Sequence, residues 1–189
     1  MKNLHALIFL LCSISGFSQD KLIIYTWDQV QHANPDTIFA IDASKLKWKE
    51  CPEKLASFKQ LKYLNLSKNK LTSLPEYIGE MTQLKSIDVH KNQLESMALL
   101  CKLTALQRIH VAQNKISTFP ACMGYLSEIK VLDIWDNPIN QLPEEITQLK
   151  KLEAVDMRGI MLGPLFQRKW QEAMPQVKWY FDPPCHCEE

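Results

Sequence analysis

The chain has 189 residues, 46% hydrophobic and 23% charged, with 22 basic residues against 21 acidic ones. This composition excludes an intrinsically disordered chain, and it lacks the overall basic excess that binding to nucleic acid or an anionic membrane would favour. Five glycines leave little room for a Gly-rich phosphate loop.

The first element is a leader. Lys2 supplies a positive start, Leu4 to Ile14 form an apolar run, and Ser15, Gly16 and Ser18 come after it. That order predicts a secretory signal peptide over residues 1–19, cleaved near Ser18 or Gln19. The alternative is a buried N-terminal strand or helix. The run is too short to span a bilayer, and no later segment reaches the roughly 18 apolar residues that a span needs. Leu11, just before Cys12, is bulkier than the residue a lipoprotein signal carries there, which weighs against lipid attachment. Export to a periplasm, an outer surface or the medium would place the mature chain in an oxidising compartment. Cys51, Cys101, Cys122, Cys185 and Cys187 would remain, an odd number, so at least one is unpaired or bonds outside the chain.

Residues 20–37 read as an N-terminal cap. Thr26 with Gln29 three residues later forms a capping-box pattern, Trp27 and Val30 can face the first unit of the neighbouring segment, and Asn34-Pro35-Asp36 makes a turn. Residues 38–162 are then repetitive. Leu61 to Gln83 (LKYLNLSKNKLTSLPEYIGEMTQ), Leu84 to Ala105, Leu106 to Glu128 and Ile129 to Lys151 repeat with a period of 23, one unit having 22. Ile38 to Gln60 keeps the apolar positions but has Leu46 where the others have Asn69, Asn92, Asn114 and Asn137; a sixth copy begins at Leu152.

L-x-x-L-x-L-x-x-N-x-L, carried four times in register, resembles the leucine-rich-repeat family, and the continuation Leu74-Pro75-x-x-Ile78 is similar to its 23-residue Ras-suppressor-like subclass. The resemblance implies an α/β solenoid: a right-handed horseshoe with a parallel β-sheet about six strands wide on the concave face and short helices or turns on the convex one. The residues suit that expectation. Leu61, Leu64 and Leu66 can point inward from a short strand. Each Asn amide can bond main-chain groups of the bend and of the next repeat, making a ladder. Pro75, Pro120 and Pro143 fit turns opening the convex segment, and Ile78 to Met81 and Ile146 to Leu149 suit a helical turn. One unit cannot bury its apolar face alone, so stacking makes the core. Residues 163–189 read as a C-terminal cap: a helix over Arg168 to Met174, a strand within VKWYF, and a Cys185-His186-Cys187 tail similar to those of other short secreted bacterial proteins with these repeats.

Chemistry is sparse. Cys185 and Cys187 can pin the tail through a disulfide, ligate a metal or stay free; four zinc ligands at workable spacing are missing. Cys101 and Cys122 fall in adjacent repeats close enough to bond across the convex face or to remain buried and free. Cys51, at a position others fill with Leu or Phe, reads as a small core residue. No catalytic motif, metal site or cofactor is expected, so the chain reads as a non-enzyme.

The strand face is left. The column between the second and third apolar positions reads Asp42, Asn65, Asp88, His110, Asp133, Asp156; the next reads Ser44, Ser67, His90, Ala112, Trp135, Arg158. With Tyr63 and Arg108, these columns hold the Trp, Tyr and Arg types common at interaction hot spots, although Trp135 can equally pack on Arg158. The expected site is the concave face around Tyr63, Asp88, His90, Arg108, His110, Asp133, Trp135, Asp156 and Arg158, taking a protein or peptide and acting as a monomer without nucleic acid or a transmembrane segment. Self-assembly as an envelope component, or sugar stacking on Trp135, are the other readings.

Overall fold

The computed structural model describes residues 22–160 and 162–183. The predicted leader and the Cys185/Cys187 tail lie outside these residues. Eight short strands form one parallel sheet in strict chain order. They are β1 (Tyr25–Thr26), β2 (Ala40–Asp42), β3 (Tyr63–Asn65), β4 (Ser86–Asp88), β5 (Arg108–His110), β6 (Val131–Asp133), β7 (Ala154–Asp156) and β8 (Lys178–Tyr180). Sequential parallel pairing of every strand with its successor is the topology of an α/β solenoid, in which each unit contacts only its neighbours.

The sheet is eight strands wide rather than six, because both caps contribute a strand. Tyr25 pairs with Ile41, and Val155 with Trp179, so the terminal segments continue the hydrogen-bond ladder instead of merely covering it. Gln29 Oε1 accepts from the Thr26 amide at 2.8 Å, which turns the chain into a short 3-10 turn, Asp28–Val30.

Between strands run five-residue 3-10 turns: Glu53–Ser57, Glu76–Glu80, Ala98–Lys102, Ala121–Tyr125 and Glu144–Gln148. Pro52, Pro75, Pro120 and Pro143 precede four of them in extended conformation, where a missing N–H costs nothing. The 22-residue unit has Met97 instead. Five residues are too few to repay an α-helical nucleus, and three residues per turn place i and i+3 on one face. Hence Ile78 and Met81 are both fully buried.

The middle residue of each strand (Ile41, Leu64, Ile87, Ile109, Leu132, Val155) points into one continuous core with Leu61, Leu66, Leu84 and their equivalents. At the N-terminal end Trp27 sits edge-on to Trp48, ring centroids 5.0 Å apart, and reaches Phe58. The other end is closed by α1 (Pro164–Ala173), whose Trp170 is buried and packs near Phe166 and Trp179. This helix begins four residues before the expected Arg168. Pro164 sits at its first position, where the proline ring presets the helical φ and the missing N–H is one of the unsatisfied donors anyway.

Packing of the convex turns is tightest at Gly124. A Cβ there would lie 2.3 Å from the Glu145 carbonyl oxygen, whereas at Gly79 it would meet the flexible Lys102 and Leu99 side chains at 2.8 and 3.0 Å. Gly124→Ala is therefore expected to cost about 1–3 kcal/mol by overpacking against backbone. Gly79→Ala should cost clearly less, since its neighbours are side chains that can move. Urea unfolding of the two variants checks the contrast; equal losses would contradict it.

Candidate functional site

Each strand presents its first and third residues on the face opposite the core. The third-residue column runs Thr26, Asp42, Asn65, Asp88, His110, Asp133, Asp156, Tyr180. Tyr63 and Arg108 stand in the first-residue column, both half-buried. The Ser44, Ser67, His90, Ala112, Trp135, Arg158 column is not on the strands. These residues lie two positions beyond each strand's last residue, where the chain already bends away. Trp135 is half-buried there, not fully projecting.

The acidic column has a local role that sequence reasoning missed. The side-chain oxygen of Asp42, Asn65, Asp88, Asp133 and Asp156 accepts the amide two residues on, at Ser44, Ser67, His90, Trp135 and Arg158, over 2.9–3.4 Å. Asp and Asn are the side chains that form such turns, which explains why five of six repeat positions carry one.

His110 takes the place of an acid in this column, between two carboxylates. Its Nε2 lies 2.9 Å from Asp133 Oδ2, and its Nδ1 lies 3.3 Å from Asp88 Oδ2. Asp88 Oδ1 is 2.7 Å from His90 Nδ1, and the His90 and His110 rings stack with centroids 4.4 Å apart and planes 15° from parallel. Burial alone would lower the His110 pKa, but its close contacts with the Asp133 and Asp88 carboxylates, and their charge, push it up to about 9. Burial would likewise raise Asp88, yet the His110 and His90 imidazoles beside it hold its carboxyl well below the usual carboxylate range. Burial, then the Asp88 and Asp42 charges, push the Tyr63 phenol up to about 12. Nearer the C-terminal end, Arg158 Nε donates to Asp156 Oδ1 at 2.9 Å and its guanidinium lies 5.9 Å from the Tyr180 ring centroid.

Asp88, His90 and His110 are the group whose donor atoms could hold a metal, all within 4.8 Å of one another. An imidazole ligates in its own ring plane. Two nearly parallel stacked rings do not share such a point, so an ion would require one ring to turn. As it stands the group is a hydrogen-bonded charge cluster on a rigid sheet, able to present paired donors and acceptors to a partner.

Asn69, Asn92, Asn114 and Asn137 sit just past this face, behind the bend. Each Nδ2 donates to a carbonyl of its own bend and to one of the preceding repeat, and each Oδ1 accepts an amide of the preceding repeat. The ladder thus runs backward along the chain, not to the next repeat. The residue before each Asn has positive φ: Lys68, Lys91, Gln113 and Asp136, matched by Lys45 and Gly159 in the outer units.

On the convex side Cys101 and Cys122 are disulfide-bonded, Cα atoms 5.8 Å apart, joining the Ala98–Lys102 and Ala121–Tyr125 turns. Among the described residues Cys51 is a free thiol, half-buried against the core, and burial pushes its pKa up to about 12. No helix among the described residues is long and apolar enough to cross a membrane.

Residues 59–102 match the family model described as Leucine Rich repeats (2 copies). The fold is similar to a leucine-rich-repeat protein of Leptospira interrogans (TM-score 0.66, 23% identity, covering 76% of this chain and 36% of that one). It is also similar to internalin C2 (TM-score 0.63, 18%, covering 77% and 60%) and to internalin InlF (TM-score 0.59, 18%, covering 77% and 42%), both of Listeria monocytogenes. The chain thus spans about a third to three fifths of the length of these structures. None of the curated proteins matches it.

Proposed function

From a chain built as a leucine-rich-repeat solenoid, we propose a binding module that takes a protein or peptide on its concave sheet and does no catalysis. The observation that carries this reading is one rigid parallel sheet presenting Tyr63, Arg108, His110 and Tyr180, with Trp135 and Arg158 in the bends just beyond it, each half-buried and His110 and Arg158 paired to carboxylates. Preordered aromatic and Arg groups of this kind lose little side-chain entropy on binding and are the types that dominate interface energetics.

In this reading residues 1–19 are a leader, 20–37 and 163–189 cap the array, and 38–162 carry the repeats. The apolar leader and the Cys101–Cys122 bond support export to an oxidising compartment. Aromatic clusters over both ends support a monomer, since a repeat array with bare ends would associate. Light scattering over a concentration series checks the monomer.

The site is tested by selecting a random peptide library against the full chain, then measuring the enriched peptides on Trp135→Ala and Arg158→Ala. We expect each substitution to weaken binding by about tenfold or more, the scale of an interface hot spot. Peptides that bind both variants as well as the parent chain would move the site elsewhere.

A further inference from the structure

We propose that the rim beyond the strand ends is a second binding surface, and that its ligand is an acidic polysaccharide. A net charge of +1 hides a strongly uneven distribution. Lys45, Lys47, Lys49, Lys68, Lys70, Lys91 and Lys115 all lie in the bends that come after β2 to β5, and all seven are exposed.

Backbone hydrogen bonds align them in rows. Lys45 N donates to Ser67 O, Lys68 N to His90 O and Lys91 N to Ala112 O, at 2.8–3.0 Å, so these three stack on successive repeats. A second row holds Lys47, Lys70, Gln93 and Lys115, so Gln93 interrupts its line of cations; Lys70 N bonds Trp48 O, Gln93 N bonds Leu71 O and Lys115 N bonds Leu94 O. Adjacent strands are about 4.8 Å apart, so the backbone positions of the first-row lysines recur at roughly that interval along the solenoid.

Their surroundings differ from those of the convex lysines. Lys59, Lys102, Lys151 and Lys169 each pair with a glutamate, Glu80, Glu76, Glu128 and Glu144. None of the seven rim lysines pairs with a carboxylate among the described residues; Lys115 Nζ reaches only the Gln93 amide at 3.5 Å. Glu50, Glu95 and Asp136 border the stripe, and Gln113 bonds Asp136 where the first row changes sign. The rim also carries two costs that stability alone would avoid. Lys45, Lys47, Lys68 and Lys91 occupy left-handed backbone, which Gly or Asn adopts more readily, and like charges stack on neighbouring repeats.

A narrow, regularly spaced line of cations fits an extended polyanion with one charge per short repeat, as in a chain of uronic acid sugars. Single-stranded nucleic acid would call for free aromatic stacking platforms between the cations, and the aromatics of these bends, Trp48 and His90, are half-buried and already packed on Trp27 and His110. An anionic bilayer would favour a broad patch with an apolar anchor. The large exposed hydrophobics Leu22, Ile23, Ile24, Phe39, Tyr125 and Leu165 are not in these bends.

The test measures binding of the full chain to immobilised polygalacturonate, with neutral dextran, phosphatidylserine-containing phosphatidylcholine vesicles and a single-stranded DNA oligonucleotide in parallel. The expected result is salt-sensitive binding to polygalacturonate above the other three. Lys45→Asn, Lys68→Asn and Lys91→Asn combined should reduce it by about tenfold or more, as expected when several charge contacts are lost. Asn accepts the left-handed backbone, so this variant should keep its circular dichroism and melting temperature. Lys59→Ser with Lys102→Ser, on the convex side, should leave binding unchanged. Absent binding, equal loss in the convex variant, no loss in the rim variant, or preference for vesicles or DNA would each overturn the proposal.

Discussion

Replacing Asn114 with alanine is expected to lower the unfolding free energy by about 3 kcal/mol, within the range for orphaning a buried polar group and losing its neighbouring bonds. The Asn114 amide donates to Val89 O at 3.1 Å and Val111 O at 2.8 Å, and its Oδ1 accepts the Leu94 amide at 2.9 Å. The two carbonyls keep a second donor, from Asn92 and Asn137 respectively. The Leu94 N–H has no such reserve, so it carries most of the loss. Asn114→Asp keeps the acceptor but sets a charge against two carbonyls, and should be at least as damaging at neutral pH. Urea unfolding measures both. A loss below about 0.5 kcal/mol, the scale of an ordinary surface change, would remove the ladder as a source of stability. The same geometry explains Leu46. Each Asn serves the repeat before it, and the first unit has only the cap on that side.

His110 is the second position where one substitution should matter greatly. Asp88 and Asp133 are 7% exposed and face the imidazolium from two neighbouring strands. His110→Gln removes the cation and leaves both carboxylates buried, at a cost of about 3–5 kcal/mol. The pH dependence has a definite sign. The folded pKa of about 9 lies above the ordinary value of 6.5. The stabilisation is therefore complete below pH 6.5 and is lost as pH rises through about 9. At 1.36 kcal/mol per unit, the ceiling of that loss is about 3 kcal/mol. Asp88, held low by His110 and His90, gives the opposite limb: its contribution is present above its ordinary 3.8 and fades as pH falls. Both limbs report the same ion pairs, so the energies do not add. Denaturant midpoints between about pH 6 and 10 should fall for the parent chain and stay flatter for His110→Gln. Parallel profiles would show that the imidazole is not held charged.

The repeat frame was legible because each unit repeats one constraint: three apolar residues around a strand, then an Asn. Elements outside that frame were harder to read. Two residues, Tyr25 and Thr26, carry no alternation, so β1 gave no signal. Pro164 reads as a helix breaker until its place at a helix start is known. The acids of the strand face looked like ligand groups, yet their spacing to the amide two residues on is a turn signal that could have been read directly. His110 stood in the right column, but nothing in a linear sequence shows two flanking carboxylates reaching one imidazole. The rim lysines were hidden by summation, since a chain-wide charge of +1 averages over faces that never meet.

The disulfide joins the turn of the one 22-residue unit, which lacks the proline preceding its equivalents, to the turn of the next. Under mechanical load a solenoid yields one unit at a time, like a zipper. The Cys101–Cys122 bond, with a sequence separation of 21, takes that stretch of chain out of the process, withholding roughly 70 Å of extension at about 3.3–3.6 Å per residue. The array therefore pulls apart from its two ends toward a clasp that force alone does not lengthen.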